Sequence, residues 1–198
     1  MAAAHTAIII LAAGASSRLG QPKQLVRFNG NTLLDHAVQA AAGCAAGMVV
    51  VVLGAHAPQI GKDIGNGPIH IVENKHWQEG MASSLRCGIE ALTDVMPQAN
   101  AAILMLCDQP FVTAELLNEL IAKMERSGKP IIASTYNGIL GVPALFHKSI
   151  FPELLELQGD VGARIVIQRH MDETEVIPFP NGEVDIDTPA DEARLRGE

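Results

Sequence analysis

The chain has 198 residues, a formal net charge of −8 and no basic run. That length suits one domain with a sizeable core, 1–198, and leaves little room for two. The acidic balance argues against nucleic acid or an anionic membrane as a partner. Hydrophobic residues make up 48% but aromatics only 4%. Such a core is built from Ala, Val, Ile and Leu, as in a parallel α/β sheet buried on both faces.

Three cysteines, Cys44, Cys87 and Cys107, are far apart and show no zinc-type spacing. They read as reduced thiols of a cytosolic protein. The N-terminus lacks a basic signal-type region, and the apolar run Ala7–Ala13 is too short to span a membrane. The expectation is a soluble, cytoplasmic chain.

Taken in order, residues 6–12 predict a buried strand. A loop from Gly14 to Lys23 follows, rich in small residues and carrying Arg18 and Lys23. Asn31-Thr32 opens an amphipathic helix that ends at Gly43 or Gly47. Met48–Leu53 predicts a second strand, residues 57–60 a short helix, and Ile69–Val72 a third strand. A polar loop, Glu73–Gly80, precedes a helix over Met81–Leu92. Ala101–Leu106 is a fourth strand, ending at Cys107-Asp108-Gln109-Pro110. Thr113 caps a helix with Glu115 early and Lys123 and Arg126 late, the sense that suits the helix dipole. Pro130–Ala133 is a fifth strand.

Beyond it the pattern is less regular. Tyr136-Asn137-Gly138 reads as a turn, Pro143–Phe146 as a strand and Lys148–Leu157 as helix. Gly159–Arg164 leads into another helix, and Val176–Pro178 and Val184–Asp187 read as short strands. Thr188-Pro189-Ala190-Asp191 starts a last helix. Strand and helix alternate through residue 133, which predicts a three-layer α/β fold with a mainly parallel sheet.

Four stretches can carry chemistry. The Gly14–Lys23 loop has the parts of an anion cradle: backbone N–H groups at a sharp turn, a forked guanidinium and a point charge. It fits neither G-x-x-x-x-G-K-[ST] nor G-x-G-x-x-G, and it reads equally as a loop whose cations face solvent. Asp108, at a strand end, can hold Mg²⁺ or simply shape the turn before Pro110. Alternation places Asp185 and Asp187 on one strand face, where a cation or solvent must separate them. Capping by Asp187 or Thr188 is the other reading. Gly80–Arg86 brings Ser83 and Ser84 to a helix start, suited to a base, a phosphate or plain capping. Trp77 can stack on a ring or fill the core.

Together these stretches resemble the nucleotidyltransferase superfamily, and within it the molybdenum cofactor cytidylyltransferases. The pattern L-A-A-G-x-S-x-R-x-G-x-P-K-x-L is matched from Leu11 to Leu25, and D-Q-P from Asp108. The asparagine–tryptophan–glycine loop and serine-rich helix start match Asn74–Leu85. G-D-x-G-A-R matches Gly159–Arg164, and D-x-D-T-P-x-D matches Asp185–Asp191. The resemblance implies a Rossmann-like α/β/α fold that transfers CMP from CTP to molybdopterin and releases pyrophosphate. It assigns Leu11, Ala12, Ala13, Gly14, Ser83 and Ser84 to the nucleotide, and Arg18 and Lys23 to its phosphates. It implies Mg²⁺ on Asp108 with Asp187, or Asp185, as second ligand, and the acceptor on Asp160 and Arg164. The A-A-G and P-K-Q-L forms favour the cytidylyl over the guanylyl branch. Relatives often carry G-H-P where this chain has Gly141-Val142-Pro143, which opens the identity of the acceptor. A different base, a sugar- or alcohol-phosphate acceptor, or a nucleotide-binding chaperone that delivers cofactor to a molybdoenzyme are the other functions this pattern admits.

Overall fold

A computed structural model describes residues 5–61, 69–186, 188, 190 and 191. One seven-stranded sheet organises it. Its first strand, β1 (Thr6–Ala12), is a run of aliphatic residues that alternate between two cores. Ile8, Ile10 and Ala12 enter one core, and Ala7 and Ile9 the other. Burial on both faces is what a continuous apolar strand requires.

After β1, a loop and a two-residue hairpin, β2 (Arg27–Phe28) and β3 (Asn31–Thr32), lead into α1 (Leu33–Ala42). Thr32 and Asp35 form a reciprocal capping box at its start, and Gly43 ends it. The chain continues through β4 (Met48–Leu53), α2 (Ala57–Ile60), β5 (Ile69–Glu73), α3 (Met81–Val95), β6 (Ala101–Leu106) and α4 (Ala114–Ser127). Thr113 caps α4, and Gly128 terminates it in the left-handed region, φ 66°. Then come β7 (Ile131–Tyr136), β8 (Ile139–His147), α5 (Phe151–Leu155), α6 (Arg164–Arg169) and β9 (Thr174–Pro178).

The strand order is β5-β4-β1-β6-β8-β7-β9. The pairs β5–β4, β4–β1, β1–β6 and β7–β9 are parallel, while β8 runs antiparallel to both neighbours. The core of α1, α2 and α4 covers one sheet face, and that of α3, α5 and α6 the other. This is the three-layer, mainly parallel fold read from the sequence. Helix α3 lies very close to the sheet, since a Cβ on Gly88 would sit 2.6 Å from Ile9 Cγ2.

The expected turn at Tyr136-Asn137-Gly138, with φ 47° at Asn137 and 75° at Gly138, folds β8 back between β6 and β7. Three expectations need correction. Strand β8 spans nine residues, where only Pro143–Phe146 was expected. Lys148–Leu157 is a 3₁₀ turn followed by the short α5. Val184–Ile186 is not a strand. Ile186 is fully buried in a satellite cluster with Leu19, Val26 and Leu33, so burial against the loop after β1 replaces strand pairing. Asp187 and Pro189 lie outside the described residues. The capping role falls to Thr188, whose hydroxyl and backbone exchange hydrogen bonds with Asp191.

Candidate active site

Parallel pairing puts Leu11 opposite Leu106, so β1 and β6 release their next residues at one sheet edge. Ligands of open α/β sheets bind at such carboxyl ends. The loop after β1 is shaped by its own groups. Ser16 takes the left-handed region at φ 53° and accepts a hydrogen bond from the Lys23 N–H at 3.0 Å. Gln24, almost fully buried, donates from Nε2 to the carbonyls of Ala12 at 2.7 Å and Gly14 at 3.2 Å. Gly54 completes the bend, because a Cβ there would lie 2.5 Å from the Ala13 carbonyl. Around Gly14 nothing lies within 4 Å of a would-be Cβ. That open space fronts a cavity of about 470 Å³.

At the floor of this cavity Lys23 Nζ lies 2.6 Å from Asp108 Oδ2. Both side chains are largely buried, at 17% and 10% exposure. The other carboxylate oxygen, Asp108 Oδ1, is buried and has no hydrogen-bond partner among the described residues. A buried acceptor left open beside a cavity fits a hard cation, which takes oxygen ligands. Among the described residues no three His, Cys, Asp or Glu side chains gather into a metal cage.

Across the cavity, Gly80 opens α3 with φ 102°. A Cβ there would lie 2.5 Å from the Gly159 carbonyl group, so the Gly159-Asp160 turn sits directly on the helix start. Ala82 N–H donates to the Gly159 carbonyl at 3.1 Å, and Met81 N–H to Asp160 Oδ1 at 3.4 Å. Buried Asn74 donates from Nδ2 to Ser83 Oγ at 2.8 Å and Ser84 Oγ at 3.0 Å.

Of the residues singled out in the sequence, Leu11, Ala12, Ala13, Gly14, Lys23, Ser84, Asp108 and Asp160 all line the cavity. Trp77 lines it too and packs on the core beneath α3, as its packing reading expects. Ser83 turns to the Glu73–Gly80 loop, with the His76 and Gly80 carbonyls within 2.9 Å of its hydroxyl. Arg18 stands on the exposed outer turn of the loop and does not line the cavity. Arg164 lines a second, smaller pocket next door. Asp185 is exposed, and Asp187 lies outside the described residues.

Sequence reasoning missed two buried amides. One is Gln24. The other is Gln109, whose Nε2 bridges the carbonyls of Val142 and Gly182, each at 3.1 Å. Their positions inside P-K-Q-L and D-Q-P were the available signal. Cys107 is buried, and burial followed by the neighbouring Asp108 pushes its thiol far up, with Lys23 opposing. It is no nucleophile at neutral pH.

A mainly parallel sheet with a cation–carboxylate pair under a glycine-bearing cavity fits a nucleotidyltransferase with a Rossmann-like fold. The chain matches the model of the MobA-like NTP transferase domain over residues 8–174, and it belongs to that family. A relative from Paenarthrobacter nicotinovorans, named nicotine blue oxidoreductase, is 30% identical, over 81% of this chain and 80% of its own length. The molybdenum cofactor cytidylyltransferase of Escherichia coli is 26% identical, over 92% of this chain and 91% of its own. Among solved structures, the Mycobacterium sp. strain JC1 homologue of Mycobacterium tuberculosis Rv0371c superposes with a TM-score of 0.83 at 31% identity. That match covers 98% of this chain and 96% of the other. Rv0371c itself, in complex with manganese, gives 0.78 at 27% identity, covering 98% of each chain. No helix among the described residues is long and apolar enough to cross a membrane.

Proposed function

We propose that the chain is a cytoplasmic, single-domain (1–198) nucleotidyltransferase that moves CMP from CTP to the phosphate of molybdopterin and releases pyrophosphate. The observation that carries this reading is the Lys23–Asp108 pair, with Asp108 Oδ1 open, beneath the cavity at Gly14. Leu11 to Gly14 and Ser84 hold the nucleotide, with Ser83 and Asn74 setting the serine-bearing turn. Lys23 and Arg18 hold the phosphates, and Asp160 and Arg164 the acceptor. Mg²⁺ held by Asp108 with Asp187 would supply charge neutralisation at the phosphate oxygens. The manganese complex of the similar Rv0371c supports a divalent ion.

The acceptor phosphate is already anionic near neutral pH, so no strong general base is required. The protein's work is to hold acceptor oxygen and α-phosphorus in line and to stabilise the charge of the departing pyrophosphate. Lys23 is suited to that second task, since it approaches from the loop that cradles the chain of phosphates.

A second reading keeps the nucleotide and changes the base or acceptor: a guanylyltransferase, or a sugar- or alcohol-phosphate acceptor. Val142, apolar where relatives often have histidine, favours a changed acceptor. A delivery chaperone that binds nucleotide and cofactor for a molybdoenzyme would share the same cavity. A thermal-shift panel of the four NTPs, NADH and NADPH, with Mg²⁺, tests the choice. Stabilisation by CTP above the rest is expected. GTP in first place overturns the cytidylyl assignment, and a dinucleotide in first place overturns nucleotidyl transfer, the relative named an oxidoreductase then being the better guide.

A further inference from the structure

In the loop after β1, the successive backbone carbonyls of Ala12, Ala13, Gly14 and Ala15 are all taken. Gln24 Nε2 donates to those of Ala12 and Gly14. Ala55 N–H donates to that of Ala13 at 3.1 Å. His56 Nε2 lies 3.2 Å from that of Ala15. A carbonyl only accepts, so this ring nitrogen carries the hydrogen and His56 donates. Ala55 and His56 belong to the turn between β4 and α2. Gly54 lets that turn close on the loop, since a Cβ there would also lie 2.9 Å from Trp77 Cβ.

Tying down a carbonyl also aims an N–H. In a planar trans peptide, the C=O and the N–H that follows it point in opposite directions. The N–H groups of Gly14, Ala15 and Ser16 therefore face away from the anchors of Ala13, Gly14 and Ala15. Among the described residues none of these three N–H groups donates to a protein acceptor. Gly14 and Ala15 line the main cavity, and Ser16 bends the chain there with φ 53°. Successive open N–H groups at such a bend make an anion-binding concavity. The anchors differ in what else they do. Ala55 acts through its backbone, and buried Gln24 holds two carbonyls. His56 is half-buried, stands outside the cavity lining, and its side chain makes this one hydrogen bond among the described residues.

We propose that His56 is a positioning residue for the phosphate chain: by holding the Ala15 carbonyl it fixes the Ala15–Ser16 peptide, so that the Ser16 N–H completes the row of donors begun by Gly14 and Ala15. His56 acts through that peptide and does not touch the ligand. The proposal rests on the triphosphate part of the reading above and adds to it a residue from the turn after β4.

The test is isothermal titration of the full chain with CTP and with inorganic tripolyphosphate, each with Mg²⁺, for the parent and two variants. His56→Phe keeps a ring and removes the donor. His56→Gln removes the ring and keeps an N–H donor the same number of bonds from Cα. His56→Phe should weaken both ligands by the same factor, up to about tenfold, the worth of one hydrogen bond. His56→Gln should bind both as the parent does. The number of sites should not change, because partial unfolding removes sites rather than affinity. Parent-like affinity in His56→Phe, equal weakening in both variants, a fall in sites at unchanged affinity, or a loss confined to CTP overturns the proposal. Pyrophosphate release from each NTP, assayed on the same samples, separates the two readings. Tripolyphosphate binding that depends on His56 in a chain that turns over no NTP supports the positioning role and overturns nucleotidyl transfer. CTP turnover with both affinities unmoved in His56→Phe does the reverse, and a parent that binds neither ligand overturns both.

Discussion

Lys23 Nζ and Asp108 Oδ2 are 2.6 Å apart although 85 positions separate them in the chain. The contact locks the loop after β1 to the end of β6 and leaves Asp108 Oδ1 facing no partner among the described residues. If the pair is the working centre, Asp108→Asn, which keeps the side chain's shape, lowers pyrophosphate release on the order of 10²–10³-fold. Lys23→Met strands a mostly buried carboxylate and also destabilises the fold, by roughly 3–5 kcal/mol. Steady-state assays and urea unfolding of both variants check this.

Gln24 predicts a different signature. Its amide fastens the loop by donating to Ala12 and Gly14. Gln24→Leu removes both donors from a buried site, at a cost of about 1–3 kcal/mol. The loop should loosen where the proposed triphosphate site lies, so KM for the nucleotide should rise. A urea midpoint and a nucleotide titration together report it; an unchanged midpoint contradicts the role.

Gly80 and Gly162 form an internal comparison on the same face. Gly80→Ala forces a side chain into φ 102° and against the Gly159 carbonyl group, which costs on the order of 1–3 kcal/mol. It also separates the Gly159-Asp160 turn from the start of α3. Gly162→Ala meets only the flexible end of Met81, with Sδ at 2.7 Å, and should cost less than about 1 kcal/mol. Thermal unfolding of the two variants gives the ranking directly.

How legible these features were depended on the range of the interaction. Met48–Leu53 and Ala101–Leu106 were bounded correctly in the sequence, because continuous aliphatic runs flanked by small or polar residues define buried strands locally. Leu11 to Gly14, Lys23 and Asp108 were expected near one another, and they line one cavity, because parallel strands end at a common sheet edge. The antiparallel β8 was only half seen: Gly141 and Pro143 interrupt its pattern, and its neighbour is fixed by the Asn137-Gly138 turn. Val184–Ile186 looked like a strand because its alternation is real, yet Ile186 spends it on a satellite cluster with Leu33. Beyond their places in P-K-Q-L and D-Q-P, Gln24 and Gln109 gave no sign of their partners, since an amide's task is set by carbonyls 10 to 73 positions away.

A pH-dependent contribution comes from the far side of the fold. His170 Nε2 lies 2.6 Å from Glu153 Oε2, and Nδ1 lies 3.0 Å from Glu173 Oε2. Hydrogen bonds to Glu173 and Glu153 raise the His170 pKa above its ordinary 6.5. Hydrogen bonds from Arg169 and His170 lower that of Glu153 below 4.5. The raised histidine stabilises fully below pH 6.5 and loses its contribution as pH rises through the folded value. The lowered glutamate stabilises fully above pH 4.5 and loses its contribution as pH falls through the folded value. The cluster is therefore strongest between these limits. At a partly exposed site the gain is small, about 0.2–1 kcal/mol. The stability difference between parent and His170→Gln, measured from pH 4 to pH 8 (roughly the titration range), should be largest in that window and shrink at both ends.

Nucleotidyl transfer at the Lys23–Asp108 site is the reaction proposed for this chain. The most direct measurement is pyrophosphate release by the purified chain with each of the four NTPs, molybdopterin and Mg²⁺, run beside Asp108→Ala. Release should depend on CTP and on the acceptor and fall on the order of 10²–10³-fold in the variant. Release at the parent rate by Asp108→Ala, or no release from any NTP, would contradict it.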